Sequence, residues 1–169
     1  MKTASLLVAV ACVVLGACSS LSTSFDYDTD HDFSGLATYG WIDRQPDSIG
    51  MKRVRQAVDT VLVERGFRLV EERPDFQVAA HISSAERIQV VDWGYTYRPY
   101  GTWYGGGRDI DVWQYEEGTL IVDIIDPGQS ALVWRGTAKK PVDRSWTPEE
   151  RDAEVLAAVR ALLAKFPPK

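Results

Sequence analysis

Residues 118–138 read GTLIVDIIDPGQSALVWRGTA. Leu120, Val122 and Ile124 recur every second residue, the period of a β-strand whose side chains alternate between two faces. Ile121 and Ile125 fall on the opposite face, which predicts for Gly118–Asp126 a central strand covered on both sides. Asp126-Pro127-Gly128-Gln129 suits a type II turn, with proline and then glycine at the two middle positions. Ala131–Ala138 then returns as the second arm of a hairpin.

The neighbouring segments supply the rest of a sheet and its cover. Phe76, Val78, Ala80 and Ile82 alternate with Gln77, Ala79, His81 and Ser83, a strand with one strongly apolar face. Ile88–Trp93 is expected as its antiparallel neighbour. Phe25–Asp28 and Thr38–Ile42 read as short strands around a polar turn. Met51, Val54, Val58, Val61 and Leu62 recur at helical spacing. Asp47 or Ser48 can cap that helix, and Gly66 can close it in the left-handed conformation. Near the C-terminus, Thr147-Pro148-Glu149-Glu150 is a capping box with proline at the first helical position. Val155, Ala158, Val159, Leu162, Leu163 and Phe166 follow as one apolar stripe, and Pro167-Pro168 stops the helix. The expectation is an α+β fold: a mixed, mostly antiparallel sheet of five to seven strands, with two amphipathic helices packed on one face.

The N-terminus reads differently. Met1 and Lys2 precede an unbroken run of small and apolar residues, Ala4–Ala17, shorter than the roughly 20 residues of a membrane-spanning helix. It fits the apolar core of a secretory signal. Leu15-Gly16-Ala17-Cys18 resembles the lipobox of bacterial lipoproteins. That resemblance implies a signal peptide over 1–17, a diacylglycerol on the Cys18 sulfur, and an acyl chain such as palmitate on the new N-terminus. The bland alternative is an ordinary secretory signal with an incidental cysteine. Cys12 would leave with the signal, so the mature chain would form no internal disulfide. Ser19 stands where an aspartate would resemble an inner-membrane retention signal. By analogy with sorting rules this favours a lipid-anchored protein of the outer membrane, on its periplasmic face. Residues 18–24 are expected to be the lipidated cysteine and a short tether. Six residues span about 20 Å at full extension, so a single domain over 25–169 would sit close to the bilayer.

The composition bounds the function. Roughly 150 residues after cleavage make one ordinary domain. The net charge is −5 and no basic stripe runs along any segment, which disfavours nucleic acid as a partner. Asp26, Asp28, Asp30 and Asp32 suggest a calcium loop. The helix-loop-helix calcium motif needs glycine at its sixth position and glutamate at its twelfth, where this chain has His31 and Ala37. A solvated edge strand and turn is the better reading. His31 and His81 are the only histidines, and without a cysteine pair they form no zinc set. No Gly-x-Ser-x-Gly elbow is present. Glu71-Glu72, Glu116-Glu117 and Glu149-Glu150 are sequence neighbours that point apart, so they make no two-carboxylate site by themselves. No catalytic residue, metal or cofactor is assigned.

The stretch left over is WGYTYRPYGTWYGGGRDIDVWQY, residues 93–115. Trp93, Tyr95, Tyr97, Tyr100, Trp103 and Tyr104 crowd around Pro99 and several glycines, marking 93–107 as a loop or hairpin tip. Such side chains anchor interfaces, stack on sugars, or lie at the headgroup level of a bilayer. They are the candidate contact residues, with Arg98 and Arg108 flanking them. The alternative is a flap that folds back on its own domain.

Three stretches together resemble the domain of unknown function 4136 family of bacterial envelope lipoproteins. One is FDYDTDHDFSGLATYGWI, residues 25–42; another is EEGTLIVDIIDPGQSALVWRGTA, residues 116–138; the third is the terminal helix ending in Phe166-Pro167-Pro168. The resemblance implies the α+β fold and the lipoprotein address. That family carries no established activity or catalytic residues. The expected function is a membrane-anchored periplasmic binding or assembly module, non-enzymatic, meeting an envelope protein, lipid or glycan through the aromatic loop. The alternatives are a carrier or sensor of a lipid or glycan ligand and, third, a cell-wall hydrolase. A deep apolar cavity under residues 93–115 would favour the carrier, a flat aromatic patch the adaptor, and converging carboxylates the enzyme.

Overall fold

The computed structural model describes residues 21–42, 48–92 and 110–168. In chain order the elements are β1 (Ser22–Tyr27), β2 (Thr38–Trp41), α1 (Ile49–Glu64), β3 (Arg68–Leu69), β4 (Phe76–Asp92), β5 (Ile110–Asp126), β6 (Ala131–Val142) and α2 (Pro148–Leu163). The strands form one six-stranded sheet in the order β1-β6-β5-β4-β2-β3. β2 runs parallel to β3 and β4, and every other pairing is antiparallel. The fold is the α+β sheet with two helices that the patterning predicts.

Both helices begin where local chemistry says they should. The Ser48 side chain accepts from Met51 N, and Gly66 takes φ +93° just after α1. At α2 the Thr147 hydroxyl accepts from Glu150 N while Glu150 Oε2 accepts from Thr147 N, closing the capping box. Arg53 pairs with Asp152 at one end of the helix pair (2.5 Å), and Arg160 pairs with Glu64 at the other (2.7 Å). N-terminal turn therefore meets N-terminal turn, and the two helices run parallel.

The core lies between these helices and one sheet face. Leu120, Val122 and Ile124 of β5 are buried there beside Val78 and Ala80 of β4. Phe166 is its hub, with ring centres 5.2–6.1 Å from those of Phe33, Phe67, Phe76 and Trp134. Trp134 lies across Gly136: a Cβ there would stand 2.4 Å from the indole and 2.7 Å from Leu162. The glycine is the space the indole occupies.

Four expectations need correction. First, Ile88–Trp93 is not a separate neighbour of the strand at Phe76. β4 is continuous from Phe76 to Asp92, and its partner is β5 along its length. The polar run Ser83-Ser84-Ala85-Glu86-Arg87 interrupts the apolar alternation, but the ladder with β5 keeps the backbone extended. Second, among the described residues the central strand is covered on one side only. No described element packs on the opposite face, where Ile121 and Ile125 are half-buried. Asp123, 5% exposed on that face, is covered by a bidentate ion pair from Arg135 (2.6 and 2.7 Å). Third, the hairpin turn is not type II. Ser130, not Gly128, takes the left-handed conformation (φ 52°), and Asp126 Oδ1 accepts from Gly128 N (2.7 Å). The extra residue is absorbed by a register shift at Ile124/Ile125. Fourth, β1 starts at Ser22 rather than Phe25, so it uses residues expected in the tether, and Leu21 packs against the core.

Candidate functional site

Two features rise from this frame, a ribbon and a cleft. β6 pairs with β5 only between Glu116 and Asp126, and β2 pairs with β4 only from Phe76 to Val78. Past the Glu86–Glu116 pair, β4 and β5 continue alone from Arg87↔Tyr115 to Asp92↔Ile110. At about 3.4 Å per residue, these six pairs project roughly 20 Å from the sheet. Glu86 and Arg87 are exposed at its base, and Ile88 is 67% exposed. A two-stranded ribbon has little stability of its own in water. Its root is tied by Arg87 to Glu117 (3.2 Å), Gln114 to Glu86 (3.3 Å) and Arg144 to Glu116 (2.9 Å). Hydrogen bonds from Ser84 and Arg144 hold the Glu116 carboxyl below the usual carboxylate range.

Trp93, Tyr95, Tyr97, Tyr100, Trp103 and Tyr104 lie outside the described residues, as do Arg98, Arg108 and Cys18. Residues 93–109 join the last pair of the ribbon, Asp92 and Ile110.

The cleft lies under the N-terminal ends of α1 and α2, above the end of the sheet from which the ribbon departs. Its volume is about 250 Å³. Val54 of α1, Ile82 of β4, Leu120 of β5, Ala138 of β6 and Val155 and Ala158 of α2 line it. Val155 and Ala158, part of the predicted apolar stripe, are only half-buried because they face this opening. Leu21 and Trp146 also line it, with Arg53, Lys140, Arg151 and Glu154 among its polar residues. A larger, more polar groove of about 620 Å³ adjoins it at Lys140, Pro141, Val142 and Trp146, and runs to Glu86, Glu116 and Arg144 at the ribbon's root.

The titratable groups singled out from sequence are mostly engaged in local structure. Asp28 Oδ1 accepts from Asp30 N, and Asp32 Oδ1 from Ser34 N. The two Ser34 bonds, side chain and backbone, hold the Asp32 carboxyl below its ordinary value. Asp26, in β1, accepts from Tyr27 N. His31 Nδ1 lies 3.8 Å from Asp126 Oδ2, its ring edge-on to Phe33. His81 is exposed on the uncovered sheet face. Among the described residues no three His, Cys, Asp or Glu side chains are grouped as a metal site.

Sequence reasoning missed three carboxylates that organise the frame. Asp59 Oδ1 accepts from both Tyr39 Oη and Trp41 Nε1 (2.8 Å each). Burial, then that bond, raises the Tyr39 phenol above its ordinary value. Asp75 Oδ2 accepts from Ala37 N, Thr38 N and the Thr38 hydroxyl, clasping β2 to the start of β4. Asp123 takes Arg135 on the uncovered face. Only alternation could have flagged Asp123, as a charge within an apolar run. The partners of Asp59 and Asp75 are 18 to 38 residues away and carry no local signal.

The family model for the domain of unknown function DUF4136 matches residues 23–168. The chain belongs to this family. The match spans every described element except the first residue of β1. No curated protein matches the sequence. Among solved structures, a PDZ domain protein from Parabacteroides distasonis is similar over 87% of this chain, at 12% identity and a TM-score of 0.58. The DUF4136 chain spans 35% of that protein's length, and the likeness is one of fold alone. Two structures of a PelC dodecamer from Paraburkholderia phytofirmans align over 85% of this chain and 95% of theirs, at 12% and 11% identity and a TM-score of 0.46. Among the described residues no helix is long and apolar enough to cross a membrane.

Proposed function

We propose that this DUF4136 protein is an envelope lipoprotein, held at the outer membrane by an acylated Cys18, with its domain on the periplasmic face. There it acts as a non-enzymatic binding module. The β4–β5 ribbon presents Trp93, Tyr95, Tyr97, Tyr100, Trp103 and Tyr104 to an envelope protein. The observation that carries this reading is the ribbon itself: six strand pairs extend past the sheet, Arg87 and Ile88 at its start are exposed, and the pairs connect through the most aromatic stretch of the chain. Aromatic side chains on a projecting element are the usual anchors of an interface. The engaged state of the carboxylates supports a binding role over a hydrolytic one. Glu116, Glu117 and Glu154 near the cleft are each ion-paired, and Glu116 is held ionised rather than raised toward a general acid's range.

A photocrosslinking residue at Tyr100 or Trp103, in the native host, tests the reading. Discrete adducts to one envelope protein are expected. Adducts only to lipid, or only within the chain, contradict it. The mass of the N-terminal peptide reads the anchor: an acylated Cys18 is expected, and an unmodified Cys18 removes the membrane address.

A further inference from the structure

The cleft is a second site, separate from the ribbon, and we infer that it binds one hydrocarbon chain of an anionic single-chain amphiphile of the fatty-acid class. The inference rests on the envelope reading above for the source of that molecule, the adjoining bilayer.

Size comes first. A cavity of about 150 Å³ accepts a benzene-sized molecule, and pockets for drug-sized ligands begin near 300 Å³. At about 250 Å³ the cleft takes a chain segment, not the two chains of a phospholipid. Its walls are apolar: Val54, Ile82, Leu120, Ala138, Val155 and Ala158 supply hydrocarbon from two helices and three strands. By apolar burial alone, micromolar retention takes about ten buried methylenes.

The charge at the mouth sets the headgroup. Asp152 is held by Arg53 and Glu154 by Lys140. Arg151 has no carboxylate partner among the described residues; its Nη2 donates only to the Arg144 carbonyl (3.1 Å). The first turn of α1, whose Gly50 lines the cleft, carries no acidic residue to offset the positive end of the helix. Glu149 and Glu150 in the first turn of α2 are not part of the lining, whose charged residues are Arg53, Lys140 and Arg151 against Glu154, so the wall carries a positive excess, matched by a carboxylate or a phosphate monoester and not by a neutral or cationic head.

Position supplies the source. Leu21 lines the cleft, and Cys18 precedes it by three residues. Three residues reach about 10 Å at most, so an anchor at Cys18 places the opening at the bilayer surface.

The test uses the full-length protein in phosphatidylcholine nanodiscs, incubated with a diazirine-bearing palmitate and irradiated, with adducts mapped by mass spectrometry. Adducts on the Asp152–Val159 and Leu120 peptides are expected, displaced by palmitate and at least tenfold less well by hexadecanol. Arg151→Gln is expected to lower labelling about tenfold, and Ala158→Phe to abolish it with the fold retained by circular dichroism. Arg151→Gln keeps the test decisive if Ala158→Phe fails to fold. Labelling confined to the ribbon, labelling absent while Cys18 is acylated, or equal displacement by hexadecanol overturns the inference. The first two leave the anchor standing. An unacylated Cys18 with the cleft still labelled defeats the envelope reading and supports the pocket.

Discussion

The two halves of the β4–β5 pair are built from one continuous ladder and behave as different materials. From Phe76 to Ile82, opposite Leu120 to Ile125, one face of the pair carries Val78, Ala80, Val122 and Ile124, none more than marginally exposed. From Arg87 to Asp92, opposite Ile110 to Tyr115, the same ladder has no strand on either flank among the described residues, and Ile88 stands in solvent. Backbone pairing alone therefore does not distinguish structure from function in this molecule. The difference is what lies on the face: two helices and Phe166 over one half, nothing among the described residues over the other. Where the ladder is covered it holds the fold; the bare half is the part that the proposed function assigns to a partner.

The largest expected effect is at the hub of the covered half. Phe166→Ala removes a fully buried ring that meets four other aromatics and is expected to destabilise the domain by about 3–5 kcal/mol in denaturant unfolding. Gly136→Ala forces a Cβ into the Trp134 indole and Leu162, with an expected loss of about 1–3 kcal/mol from overpacking. Thr147→Ala opens the capping box of α2 and is expected to lower stability by about 1 kcal/mol. Ile88→Ala, on the bare half, should stay within about 0.5 kcal/mol of the parent. A large loss there would mean that the ribbon is packed against something and would end the distinction.

Acid sharpens the same comparison. The backbone N–H of Ala37, then the hydroxyl and N–H of Thr38, hold the Asp75 carboxyl below its ordinary value. A depressed carboxyl contributes stability that is fully present above its unfolded value, near 3.9, and is lost as the pH falls through the folded value. Stability of the parent should thus fall more steeply below about pH 5 than that of Asp75→Asn. Equal slopes in pH-dependent denaturant titrations would show that the clasp does not matter to the fold.

Legibility followed the range of the interactions. The helices were legible because their signals are local: Ser48, Thr147, Glu150 and Gly66 act within a turn of where they stand, and the apolar stripes repeat at a fixed period. The paired strands at Phe76 and Gly118 were legible from alternation. The ribbon was not, because Ser83 to Arg87 lacks apolar alternation and its extended conformation is imposed by residues some 30 positions later. The covered central strand was misread because Ile121 and Ile125 look like core, and only the sheet's layering shows them half-buried. Ser130 took the left-handed place that Gly128 was expected to fill, because Asp126 captures the turn's N–H groups instead. The cleft has no sequence signature at all: its walls come from elements more than a hundred residues apart, and its most telling residue, Arg151, is an ordinary charge on an amphipathic helix until its lack of a carboxylate partner among the described residues is seen.

The most direct test removes the bare half. Deleting Arg87–Tyr115 and joining Glu86 to Glu116 through Asn-Gly leaves the covered ladder and β6 intact, with a turn suited to a two-residue hairpin. The account predicts a cooperatively folding domain, with a melting temperature within about 5 °C of the parent, a change of order 1 kcal/mol, and loss of crosslinking to the envelope partner. An unfolded or molten product would contradict it, because the ribbon would then be part of what holds the fold together.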